Sequence, residues 1–277
     1  MSENSIETVG VIGLGKMGGP LAGHLVAGGF SVLGHDTIEN AMAKAEIGGT
    51  VPCSSPADMA GRSDLVIIGV GFDSEVERVI FADDGVLASA RPGLVIAVAS
   101  TIAPRTMKKI AARGATSPVT FLDIPMCRGE QAAINGTLLI MGGGDAAAFE
   151  ACRGAFSTFS DSIHHLGEIG AGQVGKMVNN MILWACISAN HEGLALADGL
   201  GVNTESLRDA LLQSSAENWS LRTRASESPM PWAEKDMTIA LKEADEIRIS
   251  LPLSGSVKEV VKGIKIALGH PTPKEIE

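Results

Sequence analysis

The chain has no tyrosine, and this excludes the reductases whose proton donor is a tyrosine paired with a lysine. Cysteine is scarce. The four present, Cys53, Cys127, Cys152 and Cys186, lie far apart and form no C-x-x-C pair, so neither a metal site nor a disulfide framework is expected, and most read as small buried hydrophobes. Basic residues are outnumbered, 22 Lys and Arg against 32 Asp and Glu, for a net charge of -10. A nucleic-acid or anionic-membrane surface needs a basic patch, so a small-molecule ligand is the expectation. No stretch approaches the ~20 apolar residues of a bilayer span. The opening "MSENSIETVG" carries acids and no basic segment of a secretory signal. These absences together predict a soluble, cytoplasmic protein without a metal.

With 277 residues, 45% of them hydrophobic, the chain can bury a large core, and two domains are expected. Glycine is abundant at 33 residues, so a glycine motif carries weight only in context. "GLGKMGGP", residues 13 to 20, has that context. It follows the β-branched run "TVGVIG", suited to a buried parallel strand, and precedes "KMGGPLAGHLVAGG", with helical spacing at Met17, Leu21, Leu25 and Val26. In a strand–turn–helix unit, Gly13 permits the tight turn, Gly15 lets backbone N–H groups approach a pyrophosphate, and Gly18 lets the helix lie close to the strand. The next run, "FSVLGHD", reads as a strand ending at Asp36, near the roughly 20-residue spacing at which an acid meets the ribose hydroxyls of a dinucleotide. An acid there repels a 2′-phosphate and favours NAD over NADP; neighbouring His35 or a loop arginine could admit the phosphate.

Further strands are predicted at "DLVIIGV" (64–70), "GLVIAVAS" (93–100) and "VTFLDIP" (119–125), with helical segments between them. Strand alternating with helix predicts a parallel sheet with helices on both faces. Ligands bind such sheets beyond the carboxyl ends of the strands, which points Val70, Ser100, Thr101 and Asp123 toward one crevice. Ser100 and Thr101 read equally well as a capping pair for the helix "APRTMKKIAARG".

Taken together, several stretches resemble the β-hydroxyacid dehydrogenase family, within the 6-phosphogluconate dehydrogenase superfamily; the family includes 3-hydroxyisobutyrate dehydrogenase and tartronate semialdehyde reductase. The family signature G-x-G-x-M-G-x-P matches Gly13 to Pro20 at every fixed position, and its D-x-S-T strand end survives partly as Ser100 and Thr101. "GTLLIMGGG" (136–144), "GEIGAGQVGKMVNN" (167–180) and "KDM" (235–237) match closely, and "DIPMCRG" stands where relatives usually read "DAPVSGG". The resemblance implies an α/β fold: an N-terminal Rossmann-type doubly wound parallel sheet over residues 1–168, then an all-α C-terminal domain over 169–277, joined by a long helix. It implies NAD as cofactor, with NADP second, held by Gly13, Leu14, Gly15, Lys16, Met17, Asp36, Val70, Thr101 and Lys235. It also implies a homodimer or homotetramer.

After "GAGQ" the chain has no proline from about Ala171 to Gly199, which predicts a helix of roughly 40 Å at ~1.5 Å per residue. Lys176 and Asn180, four apart, share a face, with Gly172 and Gly175 leaving room for a close approach. Read from the residues alone, Lys176 is a solvated helix lysine more readily than a catalytic one. Oxidising an alcohol moves a hydride and requires a second group to take the hydroxyl proton, a task within reach of a lysine whose ammonium form is disfavoured by burial and a neighbouring positive charge. The resemblance implies that Lys176 is that acid/base, that Asn180 holds substrate or lysine, and that substrate and nicotinamide come close at the glycines.

The same resemblance places Ser100, Cys127, Arg128, Gly129, Lys176, Asn180, Trp219 and Trp232 around a small 3-hydroxy acid or the matching semialdehyde. Arg128 either points inward to pair with an anionic group on the substrate or outward as a surface charge. Glu217 and Trp219, and Trp232 ahead of Lys235, fall in the segment that borders the substrate mouth in the family; the tryptophans read equally as core or subunit contacts. His191 and Glu192 lie about four turns from Lys176 and read as structural, and His164 and His165 end the probable strand "SIHHLG" with too few neighbours for a metal. Two other readings stay open: an imine reductase-like enzyme on the same fold, which the lysine disfavours, and a protein that binds NAD as a sensor or scaffold without turning it over.

Overall fold

The computed structural model describes residues 6–224 and 230–270. These fall into two compact units that divide within one helix, between Lys176 and Met177. The first unit alternates strand and helix: β1 (Thr8–Ile12), α1 (Gly18–Ala27), β2 (Ser31–His35), α2 (Glu39–Ile47), β3 (Val51–Pro52), α3 (Pro56–Ala60), β4 (Leu65–Ile68), α4 (Asp73–Phe81), β5 (Leu94–Val98), α5 (Pro104–Arg113) and β6 (Val119–Asp123). It continues through β7 (Met126–Cys127), α6 (Gly129–Asn135), β8 (Leu138–Gly144), α7 (Ala146–Ala151), α8 (Arg153–Phe156) and β9 (Ser160–His165) into the first turns of α9 (Ala171–Gly199).

The sheet has nine strands in the order β3-β2-β1-β4-β5-β6-β8-β7, with β9 beside β8. From β3 to β6 every pairing is parallel, as the alternating pattern predicts. One strand departs from the parallel pattern past β6: β8 runs antiparallel to both β6 and β7, while β9 is parallel to β8. The cause is the connection: a parallel return needs a crossover of about a dozen or more residues, whereas only the short α6 separates β7 from β8.

Side chains alternate between the two faces of the central strands, and each face has its own core. Val9, Val11, Leu65, Ile67, Val95 and Ala97 pack with Leu21 and Leu25 of α1 and with Phe149 and Phe156 of α7 and α8. Val66, Ile68, Ile96 and Val98 pack on the other face with Met59, Val76, Ile80, Met107 and Ile110 of α3, α4 and α5. Each such aliphatic side chain contributes about 1.5–3 kcal/mol by leaving water.

The second unit, in its described residues, is helical: the rest of α9, then α10 (Thr204–Leu211), α11 (Trp219–Thr223), α12 (Ala233–Glu246) and α13 (Pro252–Ala267). Trp184, Met230, Ala233, Met237, Val257, Val261 and Ile264 form its core. Two polar links cross that core: the Trp184 indole N–H donates to Asp236 at 3.0 Å, and the buried Lys265 ammonium lies 2.8 Å from Glu234.

Two outcomes follow for the first unit. Phe156 is fully buried, so Phe156→Ala should lower the unfolding free energy by about 3–5 kcal/mol in urea titration. Burial pushes the Cys152 thiol up to about 12; iodoacetamide at mildly alkaline pH should leave it unlabelled until denaturant unfolds the chain, as mapped by peptide mass.

Candidate functional site

The glycine turn after β1 is built as its sequence implies. Gly13 has a φ of +88°, and a Cβ there would fall 2.5 Å from the Gly69 carbonyl oxygen. At Gly18 a Cβ would fall 1.8 Å from the Gly13 carbonyl, so only glycine lets α1 start against the turn. Gly15 differs, because a Cβ there would meet no protein atom within 4 Å. That open space leaves the Gly15 backbone within reach of a ligand. Helix α1 begins beside it with neither a side-chain cap nor an acid in its first turn, so its amino end offers N–H groups and positive potential to an anion. These residues fit a dinucleotide pyrophosphate.

Asp36, one residue past β2, is oriented by the same turn. Its carboxylate accepts from the Leu14 N–H at 2.6 Å and from the Ile38 N–H at 2.8 Å, which fixes both oxygens at the rim of the glycine loop. Lys16 is 82% exposed and pairs with Glu130 at 3.0 Å, and Met17 stands at the N-cap of α1.

Beyond the carboxyl ends of β4, β5 and β6 the structure departs from several expectations. Ser100 is buried, and its hydroxyl accepts from the Val70 N–H at 2.9 Å and approaches the Ile68 carbonyl at 3.3 Å, so it ties the ends of β4 and β5 together. It does not cap α5, whose N-cap is Ala103 with no side-chain bond. Asp123, expected to point into a crevice, is fully buried and turned toward α9: its carboxylate accepts from the Gly170 N–H at 2.7 Å and the Gln173 N–H at 2.8 Å. Burial pushes the Asp123 carboxyl up, against the pull of the backbone donors at Gly170, Gln173 and Gly172.

Gly172 and Gly175 do leave room, but for the chain itself. A Cβ on Gly172 would fall 2.4 Å from the Met141 carbonyl, and one on Gly175 would fall 2.6 Å from Leu166. The glycines let α9 lie against β8 and the segment after β9, rather than admit a ligand. The half-buried Lys176 thereby reaches β7, with its Nζ 3.9 Å from the Cys127 Sγ. Asn180 lies one turn further along α9 and is buried, accepting from the Asn179 amide at 3.0 Å.

Arg128 takes the outward of the two orientations open to it from sequence, with its charge paired at the surface. Its guanidinium bonds the Thr137 carbonyl at 2.8 Å and pairs with Asp161, so the carboxylate it meets belongs to its own chain. Arg128 and Gly129 both adopt left-handed backbone, at φ of 83° and 76°. In the second unit, Trp219 and Trp232 are exposed, and the Lys235 ammonium sits 5.5 Å from the Trp232 ring centre. Glu217 pairs with Arg222. His164 bonds Ser162 and His165 bonds the Gly144 carbonyl. Among the described residues no group of three or more His, Cys, Asp or Glu could hold a metal ion.

Gln173 is the residue that sequence reasoning passed over. Its side chain is 1% exposed; it donates to the Ser100 carbonyl at 2.8 Å and accepts from the Ile102 N–H at 3.1 Å. The only signal was its place three residues before the lysine, inside a stretch already quoted.

Comparison with known proteins agrees with this geometry. Residues 8–167 match the model of the NAD binding domain of 6-phosphogluconate dehydrogenase, and residues 170–273 match that of the NAD-binding domain of NADP-dependent 3-hydroxyisobutyrate dehydrogenase. The chain is 31% identical to the 3-hydroxyisobutyrate dehydrogenase of Pseudomonas aeruginosa over 91% of its own length and 90% of that protein's. It is 34% identical to an NAD-dependent L-serine dehydrogenase of the same organism, over 78% and 72%. A solved structure of Mycobacterium tuberculosis 3-hydroxyisobutyrate dehydrogenase with L-serine superposes with a TM-score of 0.84 at 26% identity, covering 96% of each chain. With this glycine turn, this acid after β2 and a lysine on the helix that follows the sheet, the chain belongs to the β-hydroxyacid dehydrogenase family of NAD-dependent oxidoreductases that act on hydroxyacids.

Proposed function

We propose that the protein moves a hydride between NAD and a small 3-hydroxy acid, or the matching semialdehyde, with Lys176 as the general acid/base. The observation that carries this reading is the place of the Lys176 amine. It stands at β7, just past the carboxyl end of β6, on the side of the sheet where the glycine turn leaves β1 and where the Ser100–Ile102 loop leaves β5. Bound NAD supplies a hydride acceptor in one direction and a donor in the other.

The protein's own residues supply the rest. The α1 amino end and the backbone around Gly15 bind the pyrophosphate, with Leu14, Lys16 and Met17 lining the turn. Asp36, held by Leu14 and Ile38, presents its carboxylate to the adenosine ribose and disfavours a 2′-phosphate. Val70 and Thr101 border the path from there toward Lys176. The lysine takes the proton from the substrate hydroxyl in oxidation and returns it in reduction. Asn180, one turn along the same helix face, hydrogen-bonds the substrate. Cys127, beside the amine, and Gly129, with its left-handed backbone, form the near wall of that pocket.

Self-association is part of the proposal. Helix α9 exposes Val178, Ile182 and Leu196, an apolar face of the kind that a second subunit covers. Light scattering coupled to gel filtration should return a dimer or tetramer mass, and a monomer would remove this part of the reading.

Turnover of 3-hydroxyisobutyrate, L-serine, L-threonate and 2-(hydroxymethyl)glutarate, followed by NADH formation, tests the substrate class directly; tight NADH binding with no turnover of any hydroxyacid would favour a sensor or scaffold. Lys176→Ala should lose ~10²-fold to 10⁴-fold in kcat with cofactor affinity little changed, and near-parental kcat would end the assignment. Asp36→Ala should weaken NAD relative to NADP in fluorescence titration; an unchanged ratio would place that selection elsewhere.

A further inference from the structure

We propose that Asp123 and Gln173 are positioning residues for Lys176: together they bolt the start of α9 to the ends of β6 and β5 and so set where the lysine amine stands. The inference rests on the acid/base reading of Lys176 given above.

A helix start leaves N–H groups without partners inside the helix. Ahead of α9 the chain reads Gly167-Glu168-Ile169-Gly170, with none of the Ser, Thr, Asp or Asn residues that usually cap a helix locally. The cap comes instead from a distant strand. Asp123, the last residue of β6, places one carboxylate oxygen 2.7 Å from the Gly170 nitrogen and the other 2.8 Å from the Gln173 nitrogen. Both of those bonds lie at the very start of the helix, where they fix its end more than its rotation. The Gln173 side chain supplies the second attachment, to the carbonyl of Ser100 and the N–H of Ile102 in the loop after β5. Two attachments on different strands stop rotation about the helix axis.

The size of the effect follows from helix geometry. A turn of about 20° carries a group ~6 Å from the axis through ~2 Å, and misplacing a catalytic group by ~1 Å can cost ~10²-fold in rate. Lys176 lies three residues beyond Gln173, about one turn, so it moves with that attachment. A buried carboxylate is a costly way to join a helix to a sheet, since an apolar contact of the same shape would spare its desolvation. The arrangement suits a demand for direction more than one for stability.

The test compares Gln173→Met, which keeps the volume and removes both side-chain bonds, with Asp123→Asn and Asp123→Ala. The assay substrate is whichever of 3-hydroxyisobutyrate, L-serine, L-threonate or 2-(hydroxymethyl)glutarate the parent oxidises fastest. Gln173→Met should lower kcat about 10-fold to 100-fold, shift the pH profile of kcat, and leave the NADH dissociation constant nearly unchanged. Asp123→Asn, which retains one acceptor, should recover part of the activity that Asp123→Ala loses. Hydrogen exchange on the parent needs neither substrate nor variant: the Gln173 amide should exchange far more slowly than an uncapped first-turn amide. Parental kcat and pH profile in Gln173→Met, or rapid exchange at the Gln173 amide, would overturn the inference. Lys176→Ala, run in parallel, separates the two failures. If it stays active, the acid/base reading falls; if it is inactive while Gln173→Met is unaffected, only the positioning role falls.

Discussion

A carboxylate buried at the end of β6 accepts the first N–H groups of the 29-residue helix α9, and the rest of the candidate site is arranged around that junction. Remove the acceptor, and N–H groups at the helix start are left buried without partners, at a cost of about 1–3 kcal/mol each. The junction also decides which glycines are needed. Gly172 and Gly143 each lie so near Asp123 that a Cβ would fall 2.7–2.8 Å from its carboxylate oxygens. The acid, the two glycines and the glutamine are best understood as one joint. Its output is the direction in which the helix leaves the sheet.

The dinucleotide side follows a different logic. There the turn after β1 is shaped by contacts within the backbone, Gly13 against Gly69 and Gly18 against Gly13, while Gly15 is left facing open space. That open space leaves the backbone of the turn within reach of a ligand. Asp36 braces the turn through Leu14 with one carboxylate oxygen and holds the Ile38 N–H with the other. A change at Asp36 therefore touches the shape of the turn itself.

What could be read in the sequence was what is local. The turn at residues 13 to 20, the strands β1, β2, β4, β5 and β6, and the long helix rest on short-range patterns of glycine spacing, β-branched runs and the absence of proline, and the structure shows all of them. The features that escaped are set by partners distant in the chain. Ser100 reads as a cap because a helix follows it, yet its hydroxyl finds Val70, 30 residues earlier. Gly172 and Gly175 read as space for a ligand, since nothing in the sequence says that β8 will run antiparallel and occupy that space. Gln173 looks like any polar helix residue until the loop after β5 arrives on its two faces. The pairing of Arg128 with Asp161 spans 33 residues and a strand whose neighbours sequence alone does not specify.

That pairing bears on the departure of "DIPMCRG" from the usual family stretch. Arginine in left-handed backbone is disfavoured by roughly 1–2 kcal/mol where glycine would be at ease. The bonds from its guanidinium to Asp161 and the Thr137 carbonyl offset that strain by anchoring the side chain to β9 and the residue before β8. The loop can then hold its course without a glycine at 128, and the change that reaches the lysine is confined to Cys127. A thiol is a weak donor and a weak acceptor compared with a hydroxyl. Beside the Lys176 amine, then, stands a small, buried and only weakly polar group.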